Sequence, residues 1–559
     1  MAPDNDDPSR PLLAGQEREA SSPDDGDATA PLLSVEQGSR GGSFTRNLGA
    51  GEAFAIVISI VIGSGIFTSP GSIDTNVPSP GMALVVWLIG GVLAWTGAST
   101  MTELGVAIPG EGGVQPYLKY IFGDVFGFLA AWTWIVAVMP ATLAILSIVF
   151  IESIYSAAGV TDQSARIEHK LLSVLVLVVI NVANSISTKA STRLNSFFVV
   201  TKFVTIAAVV LAGIVVIIIQ ASSPDRDDIG GRDWFTKPWF GNRPSVDIDG
   251  SKTDWDQLSE WELLGHYSTA LYGALWAYSG WDKAIYITAE LSAPARQLPL
   301  ALNTAIPTIV LCFITANAAY YILLPWNVVS TTDSVAVTAI TRLLGRGFGI
   351  VAAVLICLVV AGSLLGNSFV AGRMAVAAAN MGWMPRPFAF LGYVGAKPRT
   401  EVKEEEEEED GDDDGSGSPP SNSTSTTSTS TTTTSAPSQE AAAKSDAPLN
   451  AIILSTVLSA LYILFGNFRA LLTFNGLGEY SFFFLTVVGA VVLRYREPAL
   501  RRPYKPLVLV PLTFALVSGF VVVRGAIFAP ALALVLVVLW VLGLGFYWGR
   551  KRLAVSGAS

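Results

Sequence analysis

Cysteine and histidine are almost missing from this chain, with two of each in 559 residues. Cys312 and Cys357 both fall inside apolar runs, so they build neither an extracellular disulfide framework nor a metal cluster. His169 and His266 alone leave histidine-based metal sites and catalytic triads almost nothing to draw on. No nucleophile–base constellation stands out either, so no enzyme, cofactor or metal is expected. Charge is scarce as well: only 14% of residues are Asp, Glu, Lys or Arg. No basic amphipathic patch points to a nucleic acid. The first 48 residues are polar and acidic, without the apolar core that a cleavable signal peptide requires.

What the chain has in quantity is long apolar sequence. Residues 171–180, 199–219 and 531–544 are nearly free of charge, and 51% of all residues are hydrophobic. A membrane-spanning helix needs ~20 mainly apolar residues. Many segments reach that length, which predicts an all-α polytopic membrane protein. Twelve helices are predicted, at about 51–75, 81–105, 124–154, 170–187, 196–221, 265–290, 300–324, 348–379, 449–465, 472–493, 506–525 and 529–548. The longest polar outer loop is about 222–262, with Trp234, Trp239 and Trp255 among its charges.

The net charge of −10 is concentrated in two places. One is the N-terminal tail, 1–48, which also holds Pro11-Leu12-Leu13 and Pro31-Leu32-Leu33; these fit dileucine signals for trafficking machinery, and a chance pairing in a tail of this composition is the alternative. The other is a tract at 397–448, in which Glu404–Asp410 leads into a Ser/Thr run, Ser421–Ser435. Neither composition buries enough apolar surface to fold, so both are predicted to be disordered. The tract divides the membrane part into 49–396, with eight helices, and 449–549, with four; a short tail, 550–559, follows. Lys and Arg mark the cytoplasmic side. With the N-terminus inside, the inner loops hold Lys189 and Arg193, Arg386, Lys397 and Arg399, and Arg494, Arg496, Arg501, Arg502 and Lys505. The outer connection 71–80 has none. The tract and both tails are therefore predicted to be cytoplasmic, and the tract suits regulatory phosphorylation.

Two apolar segments are interrupted by glycine: Val61-Ile62-Gly63-Ser64-Gly65-Ile66-Phe67, and Trp276-Ala277-Tyr278-Ser279-Gly280-Trp281. Irregular backbone at membrane depth survives only where it lines a cavity, because lipid offers no hydrogen bonds. A matched pair of interrupted helices, one in each half, points to a transporter's substrate site. Close helix packing through small residues is the alternative reading of the same glycines. A break exposes N–H groups at the positive end of one half-helix and carbonyls at the negative end of the other. That pair matches the carboxylate and ammonium of an amino acid. Gly63, Ser64 and Gly65 are expected to receive the carboxylate, and carbonyls around Ile62 and Trp276, Ala277 and Tyr278 the ammonium. Trp276, Tyr278 and Ser279 are expected to border the substrate side chain.

Ionisable residues inside membrane segments are functional candidates by default. Lys202, in the fifth predicted helix, and Asp282, directly after the second break, are candidates for coupling transport to a proton. A snorkelling role for Lys202 and an ion pair of Asp282 with Lys283 stay open. Glu103, near the end of the second helix, reads as structural.

These motifs resemble a known family. Ile62–Phe67 with Pro80–Trp87, Ala277–Trp281 leading to Glu290 and Pro294–Pro299, Gly362-Ser363, Phe369–Arg373, and Arg494–Pro498 with Arg502-Pro503 look like landmarks of the L-type amino acid transporters of the amino acid–polyamine–organocation superfamily. Fungal high-affinity methionine permeases are similar too. The resemblance runs from about 50 to 550. It implies a LeuT-type fold, with a 5+5 inverted repeat plus two helices, and sodium-independent transport of neutral amino acids. It also implies that Lys202 stands where sodium-coupled relatives hold sodium. The loop at about 155–170 lacks the cysteine that links such light chains to a heavy chain, so no disulfide-linked heavy chain is expected. Asp282 stands where many relatives carry Asn, which favours proton coupling. The expectation is a plasma-membrane permease for large or sulfur-containing neutral L-amino acids. An obligatory exchanger and a transporter-like sensor are the alternatives, and a vacuolar or endosomal location is the alternative to the plasma membrane.

Overall fold

The protein is described by a computed structural model covering residues 50–108, 113–160, 166–186, 188–223, 229–247, 250–282, 293–389 and 448–556. The expectations for the tail 1–48, for nearly all of the 397–448 tract, and for Lys283 and Glu290 lie outside the described residues.

The described residues are helical nearly throughout. It begins with α1 (Ala50–Val61) and α2 (Gly65–Thr75), separated at Ile62–Ser64. Then come α3 (Pro80–Ala107), α4 (Val114–Phe122), α5 (Asp124–Thr133), a π-turn (Trp134–Val138) and α6 (Met139–Ala158). Next are α7 (Ile167–Ile186), α8 (Thr188–Ser222) and the short α9 (Asp233–Thr236). A two-stranded antiparallel hairpin follows, β1 (Ser245–Val246) with β2 (Lys252–Thr253), Ser245 facing Thr253. The second half holds α10 (Glu260–Ala277), α11 (Pro294–Leu323), α12 (Trp326–Val329), α13 (Val335–Leu344) and α14 (Arg346–Asn380). It ends with α15 (Leu449–Phe465), α16 (Phe468–Arg496), α17 (Leu509–Phe528) and α18 (Pro530–Ser556).

Among the described residues, nine helical segments are long and apolar enough to cross a membrane. The twelve-span reading adds the seventeen-residue α15, the broken pair α1–α2, and α10 with the residues after it.

Local chemistry explains several element boundaries. Ser79 caps α3 by accepting from Met82 N–H at 3.3 Å, with Pro80 pre-set at the first helical position. Ser259 and Glu262 form a reciprocal capping box on α10. Pro140 has no N–H to give the Val136 carbonyl four residues back, and Tyr462 Oη on α15 donates to that carbonyl at 3.0 Å. The π-turn sits at this exception, and it ties α5–α6 to α15.

Two charge clusters mark the ends of the bundle. At one end, buried Glu103 on α3 is gripped by Arg494 of α16, with Nε to Oε1 at 2.9 Å, and by Arg502 Nε at 3.3 Å; the sequence expectation puts this end inside. Arg494 Nη2 also bonds Glu103 Oε2 and donates to Pro506 O at 2.9 Å. The structural reading of Glu103 agrees with this clamp. At the opposite end, expected from the sequence to face outward, fully buried Asp74 accepts from Arg243 at 2.5 and 2.6 Å and from Tyr321 Oη at 2.6 Å.

Candidate substrate site

The structure brings the two breaks together. A Cβ at Gly65 would lie 2.4 Å from Ala277 Cα, closer than any side chain tolerates. The first residue of α2 therefore presses directly on the last residue of α10. Further along, a Cβ at Gly273 would lie 2.9 Å from Ile73, so α2 and α10 run antiparallel away from a shared crossing. Gly65 is needed for this helix contact, the packing reading of its glycine.

Gly63 differs. Its Cβ position has only Ser363 Oγ at 3.8 Å and its own Val61 carbonyl at 3.9 Å nearby. Gly63, Trp276 and Ser279 keep partial exposure, whereas Ile62, Ser64, Gly65, Ala277 and Tyr278 are buried. Ser64 occupies the N-cap of α2 without a side-chain cap bond, which leaves the first N–H groups of α2 uncapped by a side chain. At the second break Gly280 has φ +108°, a conformation that L-residues rarely adopt. Ser279 N–H closes onto Trp276 O at 3.1 Å, and Tyr278 N–H onto Ala274 O at 3.1 Å.

The large aromatics of the second break point into α3. Tyr278 donates to Trp87 O at 3.1 Å and packs on Phe313, with ring centroids 4.9 Å apart. It lies over Gly91 of α3, whose Cβ position is 3.0 Å from the Tyr278 hydroxyl. Trp281 rests on Gly97 of α3 and packs on Phe483 of α16 at 4.8 Å. Small residues on α3 thus make the groove that receives the break. Trp276 and Ser279 are half-buried, Trp276 packing against the apolar core, while the ring of Tyr278 is held within it.

Lys202 is buried on α8, a helix packed against α11 and α14. Lys202 does not snorkel to an exposed interface. Asp282 is likewise buried beside Trp281.

Four residues of this region were not among the expected site residues. Ser363 of α14 reaches toward Gly63; its sequence setting, Gly362-Ser363, marks a small-residue step but names no partner. Thr142 of α6 bonds Asn475 of α16 at 3.3 Å. Glu479 is a buried carboxylate on α16, in charge-poor sequence between Arg469 and Arg494. The rule for intramembrane ionisable residues applies to it as fully as to Lys202.

The sequence profile of the amino acid permease family matches residues 48–546. The chain is 28% identical over 507 residues to the b(0,+)-type amino acid transporter 1 of Homo sapiens, covering 90% of this chain and 88% of that one. It is 26% identical over 534 residues to the large neutral amino acids transporter small subunit 2 of Rattus norvegicus, covering 95% and 86%. It is 26% identical over 511 residues to the Asc-type amino acid transporter 1 of Mus musculus, covering 90% and 82%.

Proposed function

Because the chain belongs to the amino acid permease family, and is thus a multi-pass membrane transporter of amino acids rather than an enzyme, we propose that it carries large or sulfur-containing neutral L-amino acids, such as leucine or methionine, by proton-coupled alternating access. The observation that carries this reading is the direct contact of the two breaks, Gly65 on Ala277. One amino acid can then meet both sets of free backbone groups. The carboxylate sits at the uncapped start of α2, on N–H groups of Ser64, Gly65 and Ile66. The ammonium takes carbonyls at Ile62 and at Trp276, Ala277 and Tyr278. Trp276 and Ser279, the more open residues of the second break, border the substrate side chain.

Lys202 holds the broken first helix by charge, and Asp282 carries the coupling proton. A buried carboxylate prefers its neutral form unless a partner compensates it, so it takes up and releases a proton as its surroundings change. The plasma membrane is the proposed site of action, without a disulfide-linked heavy chain. LeuT-type topology, with two inverted five-helix repeats, is the proposed arrangement of the spans.

The test is uptake of labelled leucine and methionine into proteoliposomes, with and without a pH gradient. Wild type is expected to concentrate substrate when the gradient is present. Asp282→Asn is expected to retain counterflow and lose that accumulation. Accumulation by Asp282→Asn equal to wild type removes Asp282 from coupling. Counterflow without gradient-driven accumulation in wild type makes the protein an exchanger, and no uptake at all leaves the sensor.

A further inference from the structure

Arg469, the second residue of α16, binds three separate segments at the outer end of the molecule. Its Nη1 donates to Asp247 Oδ1 at 2.6 Å and to Thr75 Oγ1 at 2.7 Å. Its Nη2 donates to Ser330 O at 3.0 Å and to Asp333 Oδ1 at 3.1 Å, and its Nε to Asp333 Oδ1 at 3.2 Å. Thr75 is the last residue of α2, Asp247 directly follows strand β1, and Ser330 and Asp333 lie in the loop before α13. Thr75 also reaches Ser330 O itself, at 3.2 Å. The planar, five-donor fork of a guanidinium is suited to collecting several acceptors at once.

The two ends of α16 differ in kind. The inner clamp joins Glu103 to Arg494 and Arg502, with side chains 1%, 6% and 5% exposed. Parting such a pair leaves uncompensated buried charge and is costly. At the outer end Arg469 is 19% exposed and Asp247 38%. Pairs this open to water contribute little individually and part readily. Burial pushes the Asp333 carboxyl above the usual aspartate range, more than the Arg469 guanidinium pulls it down, so that pairing does not fully offset its own desolvation. The Arg469–Asp247 pair therefore suits reversible closure, and the Glu103 clamp a fixed joint. Asp74, one residue before Thr75, is a second fixed joint: its buried bonds to Arg243 and Tyr321 tie the end of α2 to the segment before β1 and to α11. The end of α2 and the hairpin therefore shift together, and the bonds of Arg469 are what join them to α16.

We propose that Arg469 is the outer latch of the transport path. It fastens the end of α2 and the β1–β2 hairpin, already joined to each other through Asp74, to the start of α16 and the loop before α13 while the outside route is shut. Release of Asp247 and Thr75 from its guanidinium accompanies opening to the outside. This inference rests on the alternating-access reading, but its test reads accessibility and needs no transport, so the two fail separately.

The reporter is Ser330→Cys in a background carrying Cys312→Ser and Cys357→Ser. The Ser330 side chain is fully buried and its hydroxyl has no hydrogen-bond partner, so the change is mild. A membrane-impermeant maleimide is added from outside, and labelling rate and thermal unfolding are both measured. Asp247→Asn leaves the Arg469–Asp333 contact intact and is the gentle variant; Arg469→Gln is the severe one. Asp247→Asn is expected to speed labelling about tenfold, the effect of ~1.4 kcal/mol on the opening equilibrium, at an unchanged unfolding temperature. The exchange Arg469→Asp with Asp247→Arg is expected to slow labelling again relative to Arg469→Asp alone. Equal labelling of Asp247→Asn and parent overturns the proposal. So does faster labelling that appears only in proportion to lost thermal stability, since Arg469 would then merely hold the loops folded.

Discussion

Gly63 and Gly65 stand two positions apart and meet opposite surroundings. An added methyl at Gly65 strikes Ala277 at 2.4 Å, whereas at Gly63 it finds nothing closer than 3.8 Å. Gly63→Ala is therefore expected to keep wild-type thermal stability and to lower uptake about tenfold, the rate equivalent of ~1.4 kcal/mol. Gly65→Ala is expected to lower both stability and uptake, because a clash with backbone cannot be relieved by a side-chain rotation. Unfolding temperature and initial uptake rate, measured on both variants, decide it. If Gly63→Ala transports as wild type does, the open side of the first break is not where the substrate binds. The glycines were legible in the sequence because irregular backbone inside an apolar run has few explanations. Their division of labour was not, since it depends on Ala277, more than two hundred positions away. Arg469 was hidden for the same reason: its acceptors at Thr75, Asp247 and Asp333 lie 394, 222 and 136 positions off.

At the scale of elements, long helices and their interruptions were the readable part. The predicted 348–379 corresponds to α14, Arg346–Asn380, and the predicted 449–465 to α15, Leu449–Phe465. The long polar loop at about 222–262 gave less away: its hairpin is only two residues per strand, too short to show a period-two pattern. The π-turn was equally hidden, because Pro140 announces a missing donor while the replacement, Tyr462, comes from a distant helix. The acidic Ser/Thr tract carries a prediction at this scale. Asn450 of α15 donates to Pro387 O at 2.8 Å, so structured chain on either side of residues 390–447 is already joined. Closing a shorter connection between fixed, neighbouring ends costs little. Replacing residues 401–445 by a short Gly-Ser linker is therefore expected to leave uptake kinetics of the reconstituted protein within about twofold of wild type, as exposed polar loops tolerate such change. A large fall in turnover, measured at equal amounts of folded protein, would give the tract a direct role in transport.

For the molecule as a whole, one arrangement gathers the observations. Two helix breaks far apart in sequence meet at Gly65 and Ala277. The second break lies against the glycine-bearing face of α3, and α16 is tied by arginine at both its ends. Family membership accounts for what such a molecule carries across the membrane. In the function proposed above, the paired breaks recognise the cargo by backbone groups that read the ammonium and the carboxylate together, with the side chain read separately near Trp276. The most direct measurement of that claim is competition against labelled leucine uptake in proteoliposomes by three compounds matched in side chain: leucine, its amine lacking the carboxylate, and its acid lacking the amino group. Leucine is expected to compete fully, and each single-charge analogue at least a hundredfold less well, the effect of ~2.7 kcal/mol from leaving one set of free helix-end groups unpaired. Equal competition by either analogue would mean that the breaks do not read the amino acid's two charges, and would contradict the account.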